Sequence, residues 1–328
     1  MNKRKIWITW EVQRRSFELA KILGAKIYVL LEPDVLQGLL RYTYLSIKTM
    51  LVVIKENPNI IFVQNPSMVL ASLLSIFRRL FGYKLVVDRH SNFKFHTIQS
   101  KEIKWKIFHI LSRYTIRKAD LTIVTNEYLC DVVHKWGGRG FILQDKLPEL
   151  ILGEKIKLDG KKNIVFISTF SKDEPIAEVI DAAKMLNKDW ILYITGKYDN
   201  YEKKYLFHNL PPNIRLTNFL SEKDYQSLLV SADLLVVLTK GNYILNCGAY
   251  EAVTLLKPVV LSDTETIKDY FKQGVVFSKC DSPSIANAIT KGIMDNDSLR
   301  KDISILKEEL SRDWGKRFGR LLEIIDEI

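Results

Sequence analysis

The most informative chemical pattern is a short segment that follows an apolar run at residues 234–238. Asn246, Cys247 and Gly248 stand at the predicted start of a helix, where small residues let the backbone approach a ligand closely. The free N–H groups and the dipole of a helix N-terminus favour a phosphate. Glu251 falls within the first two turns, where a carboxylate can accept hydrogen bonds from both ribose hydroxyls. The segment therefore predicts a nucleotide site.

A second set of polar residues ends an apolar run in the first half of the chain. Asp88 and His90 follow residues 84–87, and ligands of parallel sheets bind beyond the carboxyl ends of the strands. Either side chain can act as a general base toward an acceptor hydroxyl, so both are candidate catalytic residues. A structural interpretation stays open for each, because a strand-end Asp also caps turns and a His can be a satisfied polar residue.

Polar residues after the first and third apolar runs are further candidates for acceptor or phosphate ligands. Glu11 is either a catalytic carboxylate or one half of a helix-capping pair. Arg14 and Arg15 stand at the start of a helix, where their side chains can contact a phosphate. Asn65 follows the third run, where it can hold an acceptor.

Twelve short apolar runs predict the strands that position these residues. They are nearly continuous rather than alternating, which is typical of strands buried on both faces of a parallel sheet. The runs are residues 5–9, 26–30, 60–63, 84–87, 121–125, 141–143, 163–168, 190–195, 214–217, 234–238, 258–262 and 275–277. Helical spacing is clear at residues 16–23, 36–55, 68–81, 101–117, 177–186, 224–230, 250–256 and 283–294. The alternation predicts βαβ units in doubly wound sheets.

The strand and helix pattern runs once over residues 1–145 and restarts near residue 163. A polar stretch at residues 151–162 is the expected linker between a domain at 1–150 and a domain at 163–328. We therefore expect an α/β protein of two Rossmann-like doubly wound domains that face each other across a cleft. The last helical segment, residues 303–328, is expected to pack back on the first domain. The chain has no GxGxxG after a strand and no Walker loop, which disfavours nicotinamide enzymes and P-loop NTPases.

Residues 163–328 resemble, in order and spacing, the donor-binding half of GT-B glycosyltransferases of the family 4, or group 1, type. The matching pieces are Glu251-Ala252, Lys257-Pro258, Val259-Val260, Ser231-Ala232-Asp233, residues 213–220 and residues 193–196. The first half of the chain resembles the family more loosely. The resemblance implies an N-terminal acceptor domain and a C-terminal nucleotide-sugar domain. It also implies sugar transfer without a cofactor, since the nucleotide-sugar is a substrate.

The same resemblance implies roles for individual residues. Glu251 is expected to hold the donor ribose, and His90 is expected to face the donor sugar. Gly196, Phe219 and Leu220 match loops that meet the donor. The backbone amides at the start of the Glu251 helix would stabilise the leaving diphosphate, so no metal is required.

Three positions depart from the family pattern. Tyr243 stands where the family has a glutamate that touches the donor sugar. Thr169 and Glu174 stand where the family has an arginine and a lysine that neutralise the diphosphate. Lys172 lies nearby and can substitute, and hydroxyls with backbone amides can cradle a phosphate without Arg. Alternatively, Glu174 and Pro175 simply open the next helix.

The charge of the chain is divided unequally between its halves. The 328 residues carry a net charge of +11, and residues 1–150 hold 24 Lys and Arg against 12 Asp and Glu. The excess suggests an anionic partner for the first half, although a generally basic proteome would explain it as well. Residues 68–84 and 101–118 mix apolar and aromatic residues with Lys and Arg, which suits an anionic membrane surface. Helices that cover a sheet also need apolar faces.

Cysteine content and apolar patterning bear on compartment and class. Three cysteines are too few for a disulfide framework, and no His and Cys cluster has zinc spacing. The apolar run after the basic N-terminus is too short for a signal peptide, and no stretch approaches the roughly 20 apolar residues of a spanning helix. We therefore expect a cytoplasmic protein, peripheral at the inner face of the cell membrane.

The combined prediction is a metal-independent glycosyltransferase. It would move a hexosyl or related sugar from a nucleotide-sugar to a hydroxyl of a lipid-linked or cell-surface glycan precursor. A sugar-nucleotide epimerase on the same fold and a catalytically inactive GT-B partner subunit are the alternatives. Nucleic-acid binding is disfavoured, because no binding motif is present and the aromatic residues have helical core spacing.

Overall fold

The computed structural model describes residues 3–33, 35–64, 67–91, 93–150, 153–199, 201 and 207–328. The chain divides into two compact units. Unit 1 consists of Met1–Asp145 and Gly315–Ile328, and unit 2 consists of Lys146–Trp314. Each unit is a parallel β-sheet flanked by helices.

Among the described residues, unit 1 contains a six-stranded parallel sheet in the order β2-β1-β3-β4-β5-β6. The strands are β1 (Lys5–Thr9), β2 (Lys26–Val29), β3 (Ile60–Gln64), β4 (Lys84–His90), β5 (Leu121–Val124) and β6 (Gly140–Ile142). The helices are α1 (Arg14–Ile22), α2 (Gly38–Glu56), α3 (Met68–Phe81), α4 (Ile103–Lys118) and α5 (Glu127–Lys135). The four central strands are almost entirely buried, whereas the edge strands β2 and β6 are partly exposed. Burial on both faces explains the continuous apolar runs.

Unit 2 repeats this architecture, with six described strands in the order β12-β11-β10-β7-β8-β9. The strands are β7 (Lys162–Phe166), β8 (Trp190–Thr195), β9 (Ile214–Asn218), β10 (Leu234–Val237), β11 (Val259–Ser262) and β12 (Val275–Ser278). The helices are α6 (Ile176–Ala183), α7 (Glu222–Ser231), α8 (Cys247–Thr254), α9 (Glu265–Tyr270), α10 (Ser282–Met294) and α11 (Asn296–Glu327). Two apolar clusters fill the space between this sheet and its helices.

The strand order of each sheet reverses at one point. In unit 1 the reversal lies between β1 and β3, and in unit 2 it lies between β7 and β10. Connections leave opposite faces of the sheet at such a point, so a crevice opens beyond the carboxyl ends of the two strands. Open α/β sheets bind their ligands there.

All twelve predicted strands are present, with ends that differ by at most three residues, the largest difference being the extension of β4 to His90. Two described helices, α5 and α9, were not predicted from the spacing. Asn126 caps α5 by accepting the Leu129 N–H at 3.0 Å, and Thr264 caps α9 by accepting the Ile267 N–H. The last helix begins at Asn296, earlier than the expected residue 303. The apolar runs therefore predict the strands, whereas the short capped helices are harder to predict from the spacing of apolar residues.

The end of α11 belongs to unit 1. Leu321 and Ile325 are fully buried, and Lys3 Nζ donates a hydrogen bond to the carbonyl oxygen of Asp326 at 2.7 Å. The remainder of the helix, up to Trp314, belongs to unit 2. None of the described helices is both long enough and apolar enough to traverse a bilayer.

Candidate active site

Two loops of unit 2 meet at the point where its strand order reverses. We call residues 167–175 the β7 loop and residues 238–246 the β10 loop. Asp173 joins them, because its Oδ2 accepts the Thr239 hydroxyl at 2.7 Å and its carbonyl oxygen accepts the Lys240 N–H at 2.6 Å. The crevice of unit 2 therefore has two walls that are tied together by hydrogen bonds.

Residues with left-handed backbone conformation gather at the carboxyl ends of the strands of unit 2. Phe170 and Tyr243 lie in the β7 and β10 loops with φ of 57° and 68°, and Asn218 ends β9 with φ of 58°. Gly196 follows β8 with φ of 102°. Bulky residues adopt this conformation at an energetic cost, and such strain concentrates at functional sites.

Gly196 is required by close packing as well as by its backbone conformation. A Cβ atom at this position would lie 2.3 Å from the carbonyl oxygen of Ser168 in the β7 loop. The two loops that follow β7 and β8 thus touch through backbone atoms. The sequence placed Gly196 among the donor-binding residues, and in the structure it shapes the β7 loop.

Helix α8 presents Glu251 and an unpaired acceptor near the β10 loop. Asn246 precedes the helix, and its Oδ1 atom is buried without a hydrogen-bond partner in the described part of the chain. Glu251 Oε2 accepts the hydroxyl of Tyr225 at 2.6 Å. Burial, and then the charge and hydrogen bond of Glu251, raise the pKa of Tyr225 far above its usual range, so this hydroxyl stays protonated and donates.

Two further residues at the start of α8 differ in exposure. Cys247 is exposed, whereas Gly248 is buried. A Cβ atom on Gly248 would lie 3.0 Å from Ile167 and 3.1 Å from Val237, so the absent side chain admits these two neighbours. Close packing of the helix against these neighbours therefore favours glycine here, and the close approach of a ligand at Gly248 stays a prediction.

The β7 loop holds a carboxylate where the sequence suggested a phosphate. Glu174 accepts hydrogen bonds from the Ser168 hydroxyl at 2.7 Å, the Thr169 hydroxyl at 3.0 Å, and the N–H groups of Thr169 and Ser171 at 3.1 and 3.2 Å. Helix α6 begins directly after Pro175. The carboxylate of Glu174 therefore takes the place that a phosphate would have in this loop, and the hydroxyls expected to bind a phosphate donate to Glu174 instead.

The remaining predicted donor residues lie in the β7 loop and in the loop between β9 and α7. Thr169 and Lys172 are exposed in the β7 loop. Phe219 is 80% exposed in the loop between β9 and α7, and the neighbouring Leu220 is partly buried. An aromatic ring held in solvent at the end of a strand is available to stack on a planar ligand.

Arg15 is the centre of a buried ionic network in unit 1. Its Nε and Nη2 atoms donate to the two oxygens of Asp88 at 2.9 and 3.2 Å, and Nη1 donates to Asp145 at 2.7 Å. The remaining two N–H groups donate to the carbonyl oxygens of Leu143 and Gln144. All five donors of the guanidinium are used, so none is left for the phosphate that the sequence suggested. Asp88 is 1% exposed, and both of its oxygens face this clamp.

His90 extends this network toward the surface. Its Nε2 lies 3.1 Å from Asp145 Oδ2, and its Nδ1 lies 3.2 Å from the Ser91 hydroxyl. His90 has φ of 54°, the pairing of β4 with β5 shifts register at this point, and its side chain is 29% exposed. A partly exposed imidazole that is oriented by a carboxylate is an arrangement for general acid–base chemistry.

The other candidates of unit 1 lie apart from this network. Glu11 accepts a hydrogen bond from the Gln13 amide at 3.0 Å, just before α1. Arg14 is exposed on α1 and pairs with Glu18 at 2.7 Å. Asn65 lies outside the described residues. Among the described residues, no group of three or more His, Cys, Asp or Glu side chains is placed to hold a metal ion.

Two family models cover most of the chain. The model for Glycosyl transferases group 1 matches residues 150–308, and that for Glycosyltransferase Family 4 matches residues 15–140. The chain is a glycosyltransferase of the family 4, or group 1, type. The first match contains the loops around Glu251, and the second contains Arg15, Asp88 and His90 but ends before Asp145.

Solved structures share the fold of this glycosyltransferase. Sucrose-phosphate synthase from Thermosynechococcus elongatus aligns over 98% of this chain and 100% of its own, with a TM-score of 0.74 and 14% identity. HepE from Anabaena in complex with UDP aligns over 99% and 100%, with a TM-score of 0.73 and 13% identity. A putative UDP-N-acetylglucosamine 2-epimerase from Listeria monocytogenes aligns over 90% of each chain, with a TM-score of 0.59 and 12% identity. No curated protein matches the sequence. The architecture of this glycosyltransferase is GT-B.

Sequence reasoning missed two residues at the candidate sites of this glycosyltransferase. Tyr225 lies 26 residues before Glu251 in another helix, and Asp145 lies 55 residues after His90 at the end of unit 1. Neither has a local signal, because each is brought to its partner by the fold alone. The sequence offered one signal for Asp145, which is that it follows the last predicted strand of the first half, where ligands of parallel sheets bind.

Proposed function

We propose that this glycosyltransferase moves a sugar from a nucleotide-sugar donor to a hydroxyl of a lipid-linked or cell-surface glycan precursor, without a metal ion. The observation that carries the donor assignment is the start of α8. There the buried Oδ1 of Asn246, just before the helix, has no hydrogen-bond partner among the described residues, and Glu251 within the helix accepts the hydroxyl of Tyr225. A buried acceptor without a partner is costly, and a ligand hydroxyl or N–H group would satisfy it.

At the donor end, Glu251 would accept the ribose hydroxyls while Tyr225 fixes its carboxylate. The N–H groups at the start of α8 would stabilise the negative charge that develops on the leaving diphosphate. Phe219 would stack on the nucleobase. Because Glu174 occupies the donors of the β7 loop, the diphosphate would depend more on α8 than on that loop. The structures of HepE with UDP and with UDP-glucose support a nucleotide-sugar as the donor class.

At the acceptor end, His90 would take the proton of the attacking hydroxyl. The carboxylate of Asp145 would orient the imidazole toward that hydroxyl. Arg15 and Asp88 would hold Asp145 in place rather than touch the substrate. His90 is therefore the catalytic residue of the proposal, and Asp145 is its positioning residue.

A membrane surface would bring the protein to a lipid-linked acceptor. Helix α3 exposes Ile76 and Leu80, and α4 exposes Ile103, Ile107 and Ile110. Helix α2, which the sequence did not single out, adds an exposed stripe at its positions 40, 47, 51 and 54. Apolar side chains on three helices of the basic unit suit the interface of an anionic leaflet, at the inner face of the cell membrane.

The donor assignment is tested by thermal unfolding with UDP, GDP, dTDP, CMP and ADP. A nucleotide at about 100 times its dissociation constant stabilises by about 2.7 kcal/mol, which raises the midpoint by about 5–10 °C. Glu251→Gln is expected to raise the dissociation constant of that nucleotide at least about tenfold. Glu308→Gln, at an exposed position of α11, is the control and should behave as the parent protein. The absence of any nucleotide effect on the parent would remove the basis of this proposal.

Two observations keep alternatives in view. The Listeria epimerase shares the fold, and an epimerase would convert the nucleotide-sugar without any acceptor. A catalytically inactive partner subunit would agree with Glu174 in the anion-binding loop and with Tyr243 in place of an acid. An assay of donor turnover without acceptor identifies the first alternative, and the lack of nucleotide binding identifies the second.

A further inference from the structure

Unit 2 has a polar pocket at the amino ends of its strands, whereas the β7 and β10 loops lie at the carboxyl ends. Its volume is about 180 Å³. Asp233 and Lys257 line it, one directly before β10 and the other two residues before β11, which places the pocket at the amino ends of these strands. One water needs roughly 10–15 Å³ of such space, so the pocket has room for a small ligand.

Three cations and one acid line this pocket. The acid, Asp233, is already engaged, because its Oδ2 accepts the N–H of Asn163 at 2.7 Å and its Oδ1 lies 3.7 Å from Lys162 Nζ. In the part of the chain that the structure describes, Lys155 and Arg300 form neither a hydrogen bond nor an ion pair. Positive charge therefore collects around the pocket without a matching carboxylate.

The third cation is buried. Lys257 is 7% exposed, and its Nζ donates to the carbonyl oxygens of Val230 and Ala232 at 2.5 and 2.6 Å. These two bonds leave one N–H of the ammonium to the pocket. Burial, and then the charges of Arg300 and Lys155, lower the pKa of Lys257 to about 8, so the group is still charged at pH 7. The charge of Asp233 offsets part of this effect without forming an ion pair with Lys257, and a buried ammonium that has no carboxylate in direct contact is stabilised by an anion.

We propose that this pocket is an anion site, separate from the donor site, for a small ligand that carries a phosphate group. Lys257 supplies the buried charge, and Lys155 and Arg300 supply donors from the exposed rim. The planar fork of Arg300 suits two phosphate oxygens at once. The site does not depend on the proposed sugar transfer, because it lies at the other end of the sheet.

The test follows thermal unfolding of the full chain during a titration with sulfate, with chloride used to hold the ionic strength constant. Sulfate is the probe because it is tetrahedral like phosphate and stays doubly charged over the pH range used. The variants are Arg300→Gln and Lys155→Gln. Their matched controls, Lys301→Gln and Lys157→Gln, remove the same charge from exposed neighbours outside the pocket. Sulfate also stabilises proteins by exclusion from their surfaces, and the controls share that effect.

Each pocket variant is expected to weaken the saturable sulfate effect about tenfold, and the controls are expected to leave it unchanged. In the parent, sulfate should bind more weakly as the pH rises through about 8, because Lys257 then loses its proton. With a nucleotide bound at Glu251 at a saturating concentration, the part of the sulfate effect that depends on Arg300 and Lys155 should persist. A parent without a saturable sulfate effect, or equal losses in variants and controls, would overturn the proposal whether or not the donor site is correct.

Discussion

Arg15 decides which carboxylates of unit 1 are available for chemistry. Both oxygens of Asp88 accept hydrogen bonds from it, whereas Asp145 gives one oxygen to Arg15 and the other to His90. Asp88 is therefore a buried support, and Asp145 links the support to the exposed imidazole. Replacing Arg15 would leave the buried carboxylate of Asp88 without a cation, and breaking a buried ion pair in this way commonly costs about 3–5 kcal/mol.

Asp145→Asn is expected to lower the rate of sugar transfer at least about 100-fold, because an amide does not favour the imidazolium that forms on His90. Asp88→Asn is the matched comparison, since it also removes a carboxylate from Arg15 but does not touch His90. Its rate should fall much less. The measurement is the initial rate of nucleotide release from the donor with acceptor present, and equal losses in the two variants would contradict a positioning role for Asp145.

Asp145 also predicts how stability depends on pH. Burial alone would raise the pKa of Asp145, but the charges and hydrogen bonds of His90 and Arg15 outweigh burial and hold it well below its usual range. A carboxyl with a depressed pKa stabilises the folded state fully above its unfolded pKa, so this contribution is complete above about pH 4 and is lost on further acidification.

The free energy of unfolding of Asp145→Asn should therefore fall less steeply than that of the parent between about pH 4 and about pH 2. Denaturant unfolding at fixed ionic strength measures this slope. Parallel curves for the two proteins would mean that the Asp145 carboxylate makes no net contribution to folding.

The residue types at the sites could be predicted from the sequence, but their pairing could not. Asp88, His90 and Glu251 stand out because they follow apolar runs or begin a helix, which are local signals. The five hydrogen bonds donated by Arg15, and those that Glu174 accepts in the β7 loop, depend on how the fold arranges residues that a linear pattern does not pair. The fold determines such pairings. The residues next to Arg15 in the sequence therefore could not show that its guanidinium is already occupied and cannot bind a phosphate.

At the scale of elements, the loops of unit 2 depend on glycine where backbone atoms meet. Gly196→Ala is expected to destabilise by about 3 kcal/mol, because the new methyl group would strike the carbonyl oxygen of Ser168 and the backbone has φ of 102°. Gly315→Ala is the control, since it lies within α11 with no atom within 4 Å of the added methyl group. It should stabilise by about 0.5–1 kcal/mol. Thermal unfolding measures both, and a tolerated Gly196→Ala would contradict the close contact.

The order of elements was predictable to a greater extent than their ends. Continuous apolar runs identified every described strand, because strands buried on both faces are composed mainly of apolar residues, with polar residues such as Asp88 toward their carboxyl ends. Helix α9 has only six residues, and α5 has nine, so neither offers enough turns for a clear helical period. The strand order within each sheet has no sequence signal at this level, since all the strands are alike in composition.

At the scale of the whole molecule, charge and exposed apolar area are concentrated in the same unit. The first 150 residues carry the excess of positive charge, and α2, α3 and α4 of unit 1 expose isoleucine and leucine side chains. Neither property alone distinguishes a membrane surface from an ordinary basic domain. Their coincidence on neighbouring helices is what an anionic leaflet requires, since apolar contact and electrostatic attraction add.

The protein is therefore expected to bind vesicles that contain anionic lipid and to leave neutral vesicles unbound. Raising the salt concentration from about 0.1 M to about 1 M shortens the Debye length from about 10 Å to about 3 Å and should release it. The triple substitution of Ile103, Ile107 and Ile110 by Gln should lower binding at least about tenfold. The control replaces three exposed apolar residues of unit 2, Met185, Met294 and Ile305, by Gln. Co-sedimentation with vesicles measures all three effects, and equal losses in the two triple variants would show that unit 1 has no dedicated membrane face.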